Sequence, residues 1–349
     1  MLSADGRPTL ATVAALTGVS KSTVSKVLNH RADVAPGTRA LVKSVLQQHN
    51  YVERRSKPSP QSGVADQPTI QLLFLGPIKA YATEILRGVL DAGSAAGVAV
   101  VVDHRSRGQG RAAERPAAWA NDLVAAGHRA LIAVVDELTA GDVTALSRAH
   151  LPLVLIDPLN LPNARLTSVG STNFTGGLAA THHLLSLGHR RIGYVGGYAT
   201  AACNQARLHG YRAAMEAEGA PILEGYVRSG RFRYRDGVVH GAALLDLADP
   251  PTAVFAASDE MAVGVIEAAR ARGLRIPENL SVVGFDDTYV AQLASPPLTT
   301  VRQPLQEMGG VALRTALQLA DGETLDSHHV ELGTELVIRG STAPATAKA

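Results

Sequence analysis

From Ile70 onward the chain repeats one pattern, a short apolar run rich in β-branched residues followed by an amphipathic stretch of helical period. The runs are Ile70–Leu75, Val98–Val102, Ala130–Val135, Leu153–Ile156, Ile192–Val195, Ala253–Ala256 and Ser281–Gly284. Between them lie helical stretches such as Thr83–Ala96, Phe174–Leu187, Ala206–Glu218 and Glu260–Arg272. Strand and helix in alternation predict βαβ units and parallel sheets. So many elements exceed one compact core, and the pattern predicts two α/β lobes.

In open α/β sheets, ligands bind beyond the carboxyl ends of strands. Polar residues stand at such ends: Asp157 after LPLVLI, Ser258 and Asp259 after AVFAA, and Asp286 and Asp287 after SVVGF. A polar residue there can equally be a helix cap or turn former. That simpler role is favoured for Asp259 and Asp287, whereas for Asp157 and Asp286 the two readings stand level.

Residues 9–51 have another texture. In TLATVAALTGVSKSTVSKVLN, Thr9 can cap a short helix carrying Leu10, Val13 and Ala14 on one side. Gly18 supplies a tight turn and Ser20 can cap a second helix. On that helix Val24, Val27 and Leu28 share one arc, while Lys21, Ser22, Ser25, Lys26 and Asn29 share the opposite arc. A third helix, Thr38–Gln48, adds Leu41, Val45 and Leu46 to a small core. A solvated polar face is common on any three-helix domain. Short side chains at Ser22, Thr23 and Ser25 tilt the balance, because they let a helix sit deep in a DNA major groove, where lysines reach phosphates or guanine edges.

Charge agrees. Residues 1–57 hold nine Lys/Arg against three Asp/Glu, although the whole chain carries a formal charge of only +2. A basic head on a mildly acidic body is the electrostatic outline of a nucleic-acid module joined to something else. Residues 52–69, VERRSKPSPQSGVADQPT, hold three prolines and no apolar period, and read as a linker with Arg54 and Arg55 beside the DNA-reading unit. The division is therefore 1–51 for the DNA-binding domain, 52–69 for the linker, 70–340 for the effector and dimerisation domain, and 341–349 for a disordered tail.

These residues resemble the LacI/GalR repressors. The resemblance begins with TLATVAALTGVSKSTVSKVLN and VAPGTRALVKSVLQQHNYV. It continues through SVGSTNFTGG, LGHRRIGYVGG, ARLHGY, AASDEMAVGVI, LSVVGFDD and SPPLTTVRQP, covering nearly the whole chain. It implies an N-terminal all-α helix-turn-helix domain joined to a two-lobed α/β domain of the periplasmic-binding-protein-like type. It also implies a homodimer on a palindromic double-stranded operator, with a small-molecule effector, a sugar, between the lobes. By that match Lys21, Ser22 and Lys26 fall on base-reading positions, and Asn173, Arg207 and Phe232 join Asp157 and Asp286 at the effector. Carboxylates and Arg bind vicinal hydroxyls in pairs, and an aromatic face covers a sugar ring. Ser258 stands where the family has asparagine, and Tyr81 belongs to a first-lobe wall, GPIKAYATEIL, that matches only loosely. The family's hinge helix carries a leucine that wedges into the minor groove. Here Pro60 occupies that place after Pro58, and proline does not sit inside a helix.

Other classes find less support. The chain has no P-loop, G-x-S-x-G elbow or H-E-x-x-H, so no catalytic set, metal site or cofactor is expected. Of the twelve histidines, the adjacent pairs His182–His183 and His328–His329 diverge on any regular element and read as surface or structural. Trp119 reads as packing. A single cysteine, Cys203, no membrane-length apolar run and a start lacking a signal-peptide core point to the cytoplasm, with no membrane partner. A periplasmic-type solute receptor, a regulator answering to a non-sugar ligand and a sugar-acting enzyme remain as alternatives.

Overall fold

The structure, a computed structural model, describes residues 10–28, 34–48, 67–75, 78–105, 115–134, 138–158 and 166–345. Contacts divide the chain into two units, 1–66 and 67–349. Thr9, Asn29, Arg54, Arg55, Pro58 and Pro60 lie outside the described residues.

The first unit contains α1 (Leu10–Thr17), α2 (Lys21–Leu28) and α3 (Pro36–Gln48). Val13, Ala14, Val24, Val27, Val34 and Val42 are buried together, with Val19, Val45 and Leu46 packed against them. Gly18 turns the chain at φ 68°, a region glycine enters without steric cost. One core expectation needs correcting. Leu41 is 49% exposed and Val42 is buried instead, because positions 42, 45 and 46 share one face at the helical period.

The second unit has two parallel sheets flanked by helices. In chain order its elements begin β1 (Thr69–Leu75), α4 (Ala80–Ala96), β2 (Ala99–Arg105), α5 (Pro116–Ala125), β3 (His128–Val134), α6 (Ala140–Arg148), β4 (Leu153–Ile156) and β5 (Thr167–Ser171). They continue with α7 (Asn173–Ser186), β6 (Ile192–Gly196), α8 (Ala202–Ala217), β7 (Val227–Ser229), α9 (Tyr234–Leu245), β8 (Ala253–Ala256), α10 (Asp259–Arg270), β9 (Ser281–Asp286) and α11 (Tyr289–Leu293). Last come β10 (Thr299–Arg302), α12 (Leu305–Ala320), β11 (His329–Leu332) and β12 (Glu335–Val337). The first sheet has the order β11-β5-β4-β3-β1-β2 and the second β12-β10-β9-β8-β6-β7. All neighbours are parallel except β12, which runs antiparallel to β10.

The chain passes between lobes three times, after β5, after β10 and after β11. Lobe one is thus completed by α12 and β11, which follow all of the second lobe's helices. Met308, Ala312 and Leu313 of α12 fill the same core as Ile85 and Val89 of α4. Helix pairs approach to backbone contact at facing glycines. A Cβ on Gly177 of α7 would lie 2.3 Å from the Arg207 carbonyl of α8, and one on Gly210 of α8 would lie 2.2 Å from the Phe174 carbonyl of α7. Gly88 with Gly309, and Gly237 with Gly264, repeat this at α4–α12 and α9–α10.

The apolar runs did not foretell β5, β7, β10, β11 and β12, two of which are rich in Ser and Thr. TSVGS in β5 and TTVR in β10 are buried through hydrogen bonds instead of hydrocarbon: Thr300 Oγ1 donates to Asp259 at 2.6 Å. The tail expectation is overturned for residues 341–345. Ser341 is fully buried and its Oγ donates to the Val282 carbonyl at 2.6 Å, while the Ala345 amide donates to Leu187. Trp119 is buried beside Leu123, Leu131 and Leu146, as packing. His183 bonds Thr342, and His328 and His329 bond Thr167 and Ser168.

Candidate functional site

On α2, Ser20 caps the helix, its Oγ accepting from the Thr23 amide at 3.1 Å. The same oxygen contacts Ser22 Oγ at 2.7 Å and Thr23 Oγ1 at 2.8 Å. Val24 and Val27 face the core, and Lys21, Ser22 and Lys26 face solvent. Nothing is described of the Ser25 side chain. The described residues of this unit include four cations (Lys21, Lys26, Arg39, Lys43) and no Asp or Glu. A polyanion would meet an attractive field there.

The second candidate site is the crevice between the lobes. In both sheets the connections run in opposite directions from the first strand, β1 in one and β6 in the other, and this opens a crevice at the carboxyl ends. Lys79 and Tyr81 follow β1, Tyr198 follows β6, Ser258 follows β8, and Asp286 ends β9. Tyr81 donates to Asp157 Oδ2 at 2.6 Å, and both belong to lobe one.

Facing them is a closed ring of contacts built on lobe two and closed through Ser171 at the end of β5. Arg207 Nε donates to Asn173 Oδ1 at 2.7 Å, and Asn173 Nδ2 donates to the Ser171 carbonyl at 3.0 Å. Ser171 Oγ donates to Gln303 Oε1 at 2.6 Å, and Gln303 Nε2 donates to Asp286 Oδ1 at 2.7 Å. Arg207 Nη1 stands 3.8 Å from Asp286 Oδ1 and donates to the Ala257 carbonyl at 2.6 Å. Its guanidinium carbon lies 3.7 Å from the centre of the Phe285 ring and 5.9 Å from that of Phe232. Ser171 and Gln303 sit at two of the three passages between lobes, so the ring ties the crevice to its hinges.

Backbone strain gathers at the same residues. Five described non-glycine residues have positive φ, and three of them are Asp157 (44°), Phe232 (57°) and Asp286 (117°). Such conformations persist where the surroundings enforce them, often at ligand sites. Gly197 makes room for Phe232, since a Cβ there would fall 2.1 Å from the ring.

Burial sets the electrostatics. It raises the carboxyl of Asp157 despite the Tyr81 bond and Arg207, and raises Asp286 strongly despite Arg207 and Gln303. Burial would lower Arg207, but Cys203, Asp286 and Asp157 more than offset it. Burial, then Asp157 beside it, pushes the Tyr81 phenol well up. The arrangement offers carboxylates, an oriented guanidinium and an aromatic face to a polyhydroxy ligand.

Asn173, Arg207, Phe232 and Asp286 therefore gather on one wall, with Asp157 and Tyr81 on the other. Ser258 is turned to local use, its Oγ capping α10 by accepting from Met261 N at 3.3 Å. Asp259 accepts from Thr288 N, Thr288 Oγ1 and Thr300 Oγ1, and Asp287 pairs with Arg302 and Arg339, so both hold the fold. Sequence reasoning passed over Cys203, one helical turn before Arg207, whose thiol burial pushes up to about 11. It also passed over Gln303, although that residue directly follows a strand end.

Residues 9–53 match the model of bacterial regulatory proteins of the lacI family, and residues 181–342 match the periplasmic binding protein-like domain. The chain is 35% identical to the HTH-type transcriptional regulator CelR of Thermobifida fusca, over 96% of this chain and 98% of the relative. It belongs to the LacI family of transcriptional regulators. The structure of a CelR–cellobiose complex superposes with a TM-score of 0.71 at 32% identity, covering 96% of this chain and all of the other. A lac repressor dimer bound to operator and the anti-inducer ONPF gives 0.69 at 26% identity, covering 97% and 99%. Among the described residues, no helix of this LacI-family regulator is long and apolar enough to cross a membrane.

Proposed function

We propose that this regulator is a repressor that binds a palindromic operator as a homodimer and leaves it when a small sugar or oligosaccharide occupies the crevice. The observation that carries the effector reading is the buried Asp286–Arg207–Asn173 arrangement facing Tyr81 and Asp157 across the lobes. Likeness to a cellobiose-bound regulator supports a saccharide as the ligand class.

Lys21, Ser22, Thr23, Ser25 and Lys26 form the reading edge, with Ser20 as its cap. One helix-turn-helix covers half a site, and a two-fold dimer matches a palindrome. In α4, Ile85 and Val89 are buried against α12 and are taken up by the core of lobe one. Leu90, 43% exposed, and the half-exposed Val101 and Val102 of edge strand β2 remain for a partner.

The test is calorimetry with a panel of sugars that includes cellobiose, followed by an operator shift assay. Asp286→Ala should bind operator normally and ignore any sugar that releases the wild type. Wild-type sugar affinity in that variant would overturn the effector assignment. Ser22→Ala or Lys26→Ala should weaken operator binding by about 1–3 kcal/mol at a contacted base pair. Sedimentation at micromolar concentration should give a dimer mass.

A further inference from the structure

Lys79 and Glu260 form an ion pair across the crevice. Lys79 precedes α4 in lobe one, two residues before Tyr81. Glu260 sits in the first turn of α10 in lobe two, two residues after Ser258. The two side chains are 36% and 22% exposed, whereas those of Arg207 and Asp286 are 4% and 9% exposed. The pair thus lies at the rim and the binding groups lie inside. Among the described residues it is the one side-chain ion pair that joins the lobes away from the three passages. The first turn of α10 favours the negative charge of Glu260 through the helix dipole.

We propose that Lys79 and Glu260 are positioning residues that clasp the lobes together over the crevice and set how readily it opens. Neither needs to touch the effector. By favouring the closed arrangement, the pair raises the competent fraction of the free protein, and apparent affinity follows that fraction. A half-exposed pair is screened by salt. An uncharged sugar has no charge of its own to screen, so a salt dependence of its binding reports the clasp. The affinity argument rests on the crevice being the effector site; the clasp itself does not.

Two measurements on the full-length chain test this separately. In ligand-free protein, Lys79→Met on lobe one should speed hydrogen exchange at residues 259–263 on lobe two, and the swap Lys79→Glu/Glu260→Lys should restore part of the protection, the cation at the helix start withholding the rest. In calorimetry with cellobiose, Lys79→Met and Glu260→Gln should each weaken binding about threefold at low salt, with no further loss when combined. The wild type should approach their affinity at 1 M NaCl. Unchanged exchange at 259–263, or losses that simply add, would overturn the clasp and leave the effector site standing. Altered exchange rescued by the swap, with no sugar bound by any form, would uphold the clasp and count against the saccharide reading instead.

Discussion

The two walls of the crevice are built differently. On lobe two, Arg207 is fixed by Asn173, the Ala257 carbonyl, Asp286 and the Phe285 ring, and Asp286 is fixed by Gln303. On lobe one, the described groups are Tyr81, which donates to Asp157, and the rim lysine. The first kind of wall is set before any ligand arrives, so its groups act as a template. The second, among the described residues, sets a phenol on a buried carboxyl, an uncharged donor where lobe two has a guanidinium. The difference teaches that affinity and discrimination need not reside in the same lobe.

The sharpest way to break this contrast is to remove the template's centre. Arg207→Met leaves buried Asp286 without its counter-charge and should cost about 3–5 kcal/mol of stability, read by denaturant unfolding. A cost below about 1 kcal/mol would erase the distinction between the walls. Next in size is a pH effect behind the same wall. Burial pushes the Asp259 carboxyl up to about 7, against the bonds from Thr300 and Thr288. A raised folded-state pKa means that the native chain holds a proton that the unfolded chain releases near pH 4. Its stabilisation is present below that pH and is lost as pH rises through about 7. Asp259→Asn should flatten that loss, on the order of 2 kcal/mol, in melts between pH 4 and 8.

Gln303→Leu tests the hinge link. It leaves Asp286 and Ser171 short of a partner and should cost about 1–2 kcal/mol of stability, and it should blunt the operator's response to sugar more than sugar affinity itself. Equal losses in both would make Gln303 a ligand-binding group and not a link. Smallest is Tyr81→Phe on the lobe-one wall, which leaves buried Asp157 short of one bond and is expected to cost about 1 kcal/mol in effector binding, read by calorimetry.

Legibility in the sequence followed the physics of burial. Runs such as LVLI and AVFA announce themselves because parallel strands are covered on both faces. TSVGS does not, since its burial depends on partners more than a hundred residues away, His329 for Ser168 and Gln303 for Ser171. The same distance hid Gln303 from the site. Asp286 was visible as a polar stop to an apolar strand, while Arg207 and Asn173 came only from the resemblance, because a residue within a helix carries no local mark of facing a crevice. Ser258 shows the limit of strand-end reasoning, its hydroxyl being engaged by its own helix.

The late arrival of α12 and β11 has a consequence for how the chain is made. Lobe two is nearly contiguous, from Asn173 to Arg302, and lacks only β12 and the closing segment to Ala345. Lobe one begins at Thr69, yet its core waits for Met308 and Leu313. During synthesis at roughly 5–20 residues per second, Ile85 and Val89 therefore emerge long before their covering helix does. The first α/β half translated thus keeps its core open until nearly all of the second has emerged, and its apolar face is the surface that a nascent-chain chaperone would meet.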